Sequence, residues 1–116
     1  MPSVSRDARL FLDDMITACE KIRRYVAERP REAFERDEQA FDAVLKNLEI
    51  IGEASKRLPG ALKDRHPEIR WREIAGLRDI VVHECFGLDR DIVWDVIANR
   101  VPDLLTRIRT ISDEFP

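Results

Sequence analysis

Residues 71–87 read WREIAGLRDIVVHECFG, and the way this stretch folds decides how its neighbours must be read. Arg78 and Asp79 lead into Ile80, Val81 and Val82, and His83, one of two histidines in the chain, follows directly. Three β-branched residues in a row favour extended backbone. The run is too short to stand as a strand, however, and helical spacing surrounds it on both sides. The stretch is therefore expected to form a helix beginning near Trp71 and ending around His83 to Cys85. Gly87 supplies the backbone freedom for the turn that follows.

Working outward, the apolar residues keep a helical period in both directions. After a frayed start through about Ser5, Phe11, Met15, Cys19, Ile22 and Val26 recur at three- and four-residue steps as far as Ala27, and Leu12 and Ile16 widen the stripe. Pro30 stops this helix by removing a donor and disfavouring helical geometry at Arg29. A single turn around Phe34 is expected next. Asp37 then caps a helix whose buried face is Phe41, Val44, Leu45, Leu48, Ile51 and Leu58, and Pro59-Gly60 ends it. Gly52 inside that helix costs about 1 kcal/mol relative to alanine, which points to close approach by another helix. Asn47, near the apolar face, is expected to be a hydrogen-bonded core or interface residue. Residues 60–70 read as a loop or short helix, with His66 in solvent. Asp89 caps a last long helix carrying Val93, Ile97, Val101, Leu104, Ile108 and Ile111, with a kink at Pro102. The expected fold is all-α: one domain over residues 1–116, built as a bundle of three long helices and a shorter motif-bearing helix.

Composition narrows the function classes. No apolar run approaches the roughly 18 residues of a membrane span, and the charged N-terminus carries no secretion-signal pattern, so a cytoplasmic protein without membrane association is expected. Cys19 and Cys85 stand far apart with no ligand spacing around them, which argues for reduced thiols and against a structural zinc site. The net charge of −3 hides an uneven distribution. Between residues 56 and 78, Lys56, Arg57, Lys63, Arg65, Arg70, Arg72 and Arg78 face three acids, a local +4 that leaves −7 on the remainder. Such a run is either a phosphate footprint, with Lys56, Arg57, Lys63, Arg65 and Arg72 as the RNA-binding candidates, or a solvated mixed-charge surface.

Arginine, carboxylate and imidazole within six residues could together bind and cleave a phosphodiester, although Arg-x4-His alone occurs in many proteins. On a helix Asp79 and His83 share a face, so Asp79 can accept from one ring nitrogen and leave the other for a substrate. Arg78 and His83, five apart, point about 140° away from each other on an ideal helix. They can meet at one phosphate through the reach of arginine, through loosening of the helix after Val82, or through a second chain that brings its own copy alongside.

The flanking blocks add specificity that Arg-x4-His lacks. NLEIIGEASKRLP at 47–59, HPEI at 66–69, WREIAG at 71–76, FGLD at 86–89 and IVW at 92–94 follow one another in an order that resembles the HepT-like branch of the HEPN family. The resemblance covers roughly residues 8–110. It implies a small all-helical, metal-independent ribonuclease that needs no cofactor, in which two motifs face each other across a homodimer cleft. Carried onto this chain, it implies Arg78 and His83 as the catalytic pair, with Asp79 as the polar residue after the arginine. It also implies a toxin–antitoxin partnership with a minimal nucleotidyltransferase. The alternative is a non-catalytic dimer that binds RNA, a nucleotide or that nucleotidyltransferase and leaves the chemistry to its partner.

One position departs from the family pattern. Many HepT-like proteins carry a tyrosine two residues after the histidine, where the partner attaches adenylate; here that regulatory position is Cys85, and the chain's one tyrosine is Tyr25 in the first helix. A thiol lacks the reach and orientation of a phenol. Cys85→Tyr, incubated with a cognate nucleotidyltransferase and ATP, is therefore expected to gain adenylate mass at residue 85 that the wild type does not gain there. Intact-mass and peptide mass spectrometry check this.

Overall fold

Apolar residues at helical spacing become buried helix faces along the whole chain. The structure, a computed structural model, describes residues 2–86 and 90–115, with side-chain surroundings for 7–83 and 90–115. The first helix, α1 (Pro2–Val26), starts earlier than the frayed segment expected through Ser5. Proline suits a first helical position, because the donor it lacks would have no partner there. α1 seals Leu12, Met15, Cys19 and Ile22 from solvent, and burial pushes the Cys19 thiol up to about 12. That cysteine is a packed apolar residue.

Pro30 ends the connection and opens α2 (Arg31–Arg36), which buries Phe34. Asp37 caps α3 (Glu38–Arg57) as expected, accepting from the Ala40 N–H at 3.0 Å. That bond, and then the Arg29 guanidinium 2.7 Å away, hold the Asp37 carboxyl below its ordinary pKa. Asn47 is 7% exposed and donates Nδ2 to the Ala43 carbonyl at 2.8 Å, the hydrogen-bonded core position its sequence setting suggested. α1 packs along α3 on one side and along the C-terminal helix on the other.

After α4 (Gly60–Asp64), the Trp71 indole donates to the carbonyls of Lys63 at 3.2 Å and His66 at 3.1 Å. That bond draws the loop onto the bundle, and the His66 side chain is consequently only 14% exposed rather than in solvent. Its Nδ1 lies 3.4 Å from Glu68, and its Nε2 3.5 Å from Glu114, just beyond the last helix.

The motif helix is two helices. α5 (Trp71–Ala75) stops at Gly76, whose φ of −109° and ψ of 15° leave helical geometry, and α6 (Leu77–Phe86) restarts behind it. The cause is visible at Gly52, where a Cβ would lie 2.7 Å from the Ala75 carbonyl oxygen. The end of α5 rests directly on the backbone of α3, the close approach that the mid-helix glycine suggested.

The last long helix is similarly subdivided into α7 (Arg90–Asp95), a π segment (Val96–Arg100) and α8 (Val101–Ser112). Pro102 cannot donate to the turn before it, and the kink expected there takes the form of this widened segment, closed by Val101 N–H donating to the Val96 carbonyl. The turn assigned to Gly87 and the cap assigned to Asp89 lie outside the described residues. Among the described residues the fold is all-α, and no helix is long and apolar enough to cross a membrane.

Gly52→Ala is expected to destabilise the fold by roughly 1–3 kcal/mol, the usual cost of overpacking where backbone must move. Gly60→Ala, with nothing within 4 Å of the new methyl, is the control; it should be neutral or stabilising by up to about 1 kcal/mol. Equilibrium urea unfolding of both variants checks the contrast.

Candidate functional site

Two residues orient α6. Leu77 and Val81 are 3% and 0% exposed and turn one side of the helix into the core, where it packs on α3. One helical step round from this pair the chain must present its polar residues to solvent. Arg78 is 46% exposed, Asp79 is 85% exposed and His83 is exposed, while Ile80 and Val82 are half-buried along the flanks. Arg78, Asp79 and His83 thus all face solvent.

The carboxylate partner differs from the one the spacing suggested. Asp79 Oδ1 accepts from Arg78 Nη1 at 3.4 Å, so the acid is engaged with the neighbouring guanidinium and not with the His83 ring. Arginine's long stem folds back across one residue, whereas a helical turn separates Asp79 from the imidazole. Nothing in this arrangement brings Arg78 towards His83: ideal helical geometry still separates their directions by about 140°. Cys85 falls where side chains are not described, so its surroundings are outside the described residues.

The basic run divides into committed and uncommitted cations. Lys63 Nζ donates to the Ser55 carbonyl at 3.2 Å, satisfying the end of α3. Lys56 pairs with Glu53 at 3.2 Å, and Arg57 lies over the Phe11 ring at 5.9 Å. Arg70 pairs with Glu73 at 3.4 Å. Arg65 and Arg72 are exposed and form no ion pair among the described residues. The structure therefore gathers Lys56, Arg57 and Lys63 at the last turn of α3, and Arg65 and Arg72 follow on α4's exit and on α5. α5 and α6 both pack on α3, and the end of α5 meets it at Gly52.

A further feature escaped the sequence. α2, α3 and α7 enclose an aromatic cavity of about 240 Å³ lined by Phe34, Phe41 and Trp94. Trp94 stands far from Phe34 and Phe41 in the chain, and each ring alone reads as ordinary core. Among the described residues no three His, Cys, Asp or Glu side chains gather as a metal ion would require.

Comparison with known proteins agrees with the family suggested by the motif blocks. The family model described as Ribonuclease HepT-like matches residues 15–111. The chain is 40% identical over 101 residues, 87% of its own length and 92% of the relative's, to a Thermococcus cleftensis protein named "Probable ribonuclease HepT". A protein of Caldanaerobacter subterraneus subsp. tengcongensis is 36% identical over 103 residues, covering 89% of this chain and 92% of that one. Another, from Methanocaldococcus jannaschii, is 34% identical over 110 residues, covering 95% and 91%. Both carry the name "Putative RNase". No solved structure gives a significant match.

Because Arg65 and Arg72 carry no ion pair among the described residues while Lys63 caps a helix, they are the cleaner test of the basic corner. Arg65→Glu with Arg72→Glu should weaken binding to single-stranded RNA and lower the slope of log K against log salt by about 0.7 for each phosphate no longer neutralised, leaving the melting temperature near that of wild type. Lys63→Glu should also lower the melting temperature. Fluorescence anisotropy over a salt series, with thermal melts alongside, measures both; unchanged affinity in the double variant would place the RNA footprint elsewhere.

Proposed function

This chain belongs to the HepT-like ribonuclease family, and on that premise we propose that it is a metal-independent endoribonuclease whose site is completed by a second copy of the chain. The proposal extends to its setting, as the toxin half of a cytoplasmic toxin–antitoxin pair with a minimal nucleotidyltransferase. One observation supports the two-chain site above the others. Arg78 and His83 are both exposed on α6, and ideal helical geometry directs them about 140° apart. Setting α6 against its symmetry mate would place the His83 of one chain opposite the Arg78 of the other. It would also cover the half-buried Ile80 and Val82 beside them.

In this reading the chemistry comes from the RNA and two side-chain types. A neutral His83 takes the proton of a ribose 2′-hydroxyl, and the oxygen attacks the adjacent phosphorus. The bond to the 5′-oxygen breaks, and that oxygen leaves with a proton taken from water. Imidazole suits this task because a ring nitrogen can take a proton and release it again, and such proton transfer contributes about 10²–10⁴-fold. Arg78 holds the non-bridging oxygens through forked, charge-assisted hydrogen bonds as charge grows on the phosphorane. Asp79, bonded to Arg78, steadies that fork. The nucleophile belongs to the substrate, so no metal-bound water is required. Cys85 leaves adenylylation at the usual tyrosine position outside the proposal.

Cleavage is expected to persist in chelator and to leave a 2′,3′-cyclic phosphate and a 5′-hydroxyl. RNA with 2′-deoxyribose at the cleaved position should bind but resist. His83→Ala and Arg78→Ala should each lose about 10²-fold or more in rate, with unchanged helical signal and melting. Product-end mapping of purified wild type and variants on total RNA, with and without chelator, measures these outcomes; loss of activity on chelation, or 5′-phosphate ends, would overturn the mechanism.

A further inference from the structure

The aromatic cavity between α2, α3 and α7 has no part in this chemistry. Its floor is the Phe34 and Trp94 rings, 5.9 Å apart between centroids with planes at 53°, and Phe41 closes it 6.5 Å from Phe34 at 58°. Val93 adds an aliphatic wall, and Glu35, Glu38, Asp42 and Arg90 form the rim. Three carboxylates thus face one guanidinium around an apolar floor.

The carboxylates are not equivalent. Glu35 is engaged: it accepts from Arg31 Nε at 2.7 Å and lies 3.9 Å from Arg90. Glu38 and Asp42 are exposed, sit one turn apart on the same face of α3, and form no ion pair among the described residues. Like charges at that spacing repel by a few tenths of a kcal/mol. Glu38 gains from the positive end of the α3 dipole, while Asp42 is already beyond its first turn. A cation on the rim would relieve the pair, and the ring faces behind it would add a cation–π attraction.

The fold already holds one such arrangement next door. The Arg31 guanidinium lies 5.9 Å from the Trp94 ring centroid, pinned by Glu35 and by Asp91, each at 2.7 Å. We propose that the cavity is a docking site for an arginine side chain presented by a protein partner, which would stack on the aromatic floor and give its forked N–H groups to Glu38 and Asp42. A planar guanidinium satisfies ring and carboxylates together, which a compact ammonium does less well. The acidic rim excludes RNA phosphate. The Arg90 cation across the mouth opposes a polyamine, whose charges are spread along its length, more than a single guanidinium with an aliphatic stem lying along Val93. α6 ends at Phe86, α7 begins at Arg90, and the two pack together. A protein seated in the cavity would therefore stand at the His83 end of the motif helix. The docking itself does not depend on the ribonuclease mechanism and is read out by binding alone.

Two-dimensional ¹H–¹⁵N spectra of the full chain, titrated with the capped peptide acetyl-Gly-Arg-Gly-amide, test the proposal. The indole N–H of Trp94 should shift saturably, while that of Trp71, bonded to the Lys63 and His66 carbonyls, stays in place. The citrulline version of the peptide, and the arginine peptide on a Glu38→Gln/Asp42→Asn variant, should each bind roughly tenfold more weakly or worse. The proposal is overturned if no saturation is reached at the solubility limit of the peptide. It is equally overturned if citrulline matches arginine, if the double variant binds undiminished, or if spermidine binds more tightly than the peptide.

Discussion

The bare backbone contact between Gly52 of α3 and the Ala75 carbonyl is the constraint on which the rest of this structure depends. Any side chain at residue 52 would collide with that oxygen at 2.7 Å, so glycine alone lets α5 end on the body of α3. The chain then turns at Gly76, and the helical phase is reset before α6 begins. That reset turns Leu77 and Val81 inward, each worth about 1.5–3 kcal/mol of burial, and leaves Arg78, Asp79 and His83 outside. Had α5 continued straight into α6, the motif would have inherited the phase set by Trp71.

α3 also separates the charges of the molecule. Its twenty residues span about 30 Å, with Glu38 and Asp42 beside the aromatic cavity at the N-terminal end and Lys56 and Arg57 at the other. The arrangement follows the helix dipole, which favours acids at the start and bases at the finish. It places a surface suited to phosphate and a surface suited to cations at opposite ends of one rigid element, on which α6 also packs. The net charge of −3 describes neither end.

Much of this was legible in the sequence, for reasons that can be named. The Asp37 cap, the Pro30 break and the buried stripes of α1 and α3 are local signals, read from spacing and side-chain chemistry. Gly52 was legible as a close approach because a mid-helix glycine has few other uses. The partner it touches was not legible, and the division of the motif helix at Gly76 was missed with it. His66 was misread because its burial depends on the Trp71 indole and on Glu114, residues that its own neighbourhood does not reveal. The basic run read as uniform, since sequence cannot show that Lys63 folds back on Ser55 while Arg65 and Arg72 stay exposed. Within the motif, helix periodicity gave the shared face of Asp79 and His83 and the angle between Arg78 and His83, but not their exposure. The pairing of Asp79 with Arg78 rested on side-chain rotamers, which no spacing rule supplies.

In the proposed site a working arginine–histidine pair is drawn from two chains, because an ideal α-helix directs Arg78 and His83 about 140° apart. Subunit mixing tests it directly. Arg78→Ala and His83→Ala proteins, each inactive alone, are combined and exchanged, heterodimer formation is confirmed by native mass spectrometry, and RNA cleavage is measured. Activity should return in part, since each heterodimer keeps one intact His83 and, on the opposite chain, one intact Arg78. Heterodimers that form in full and remain as inactive as their parents would contradict it.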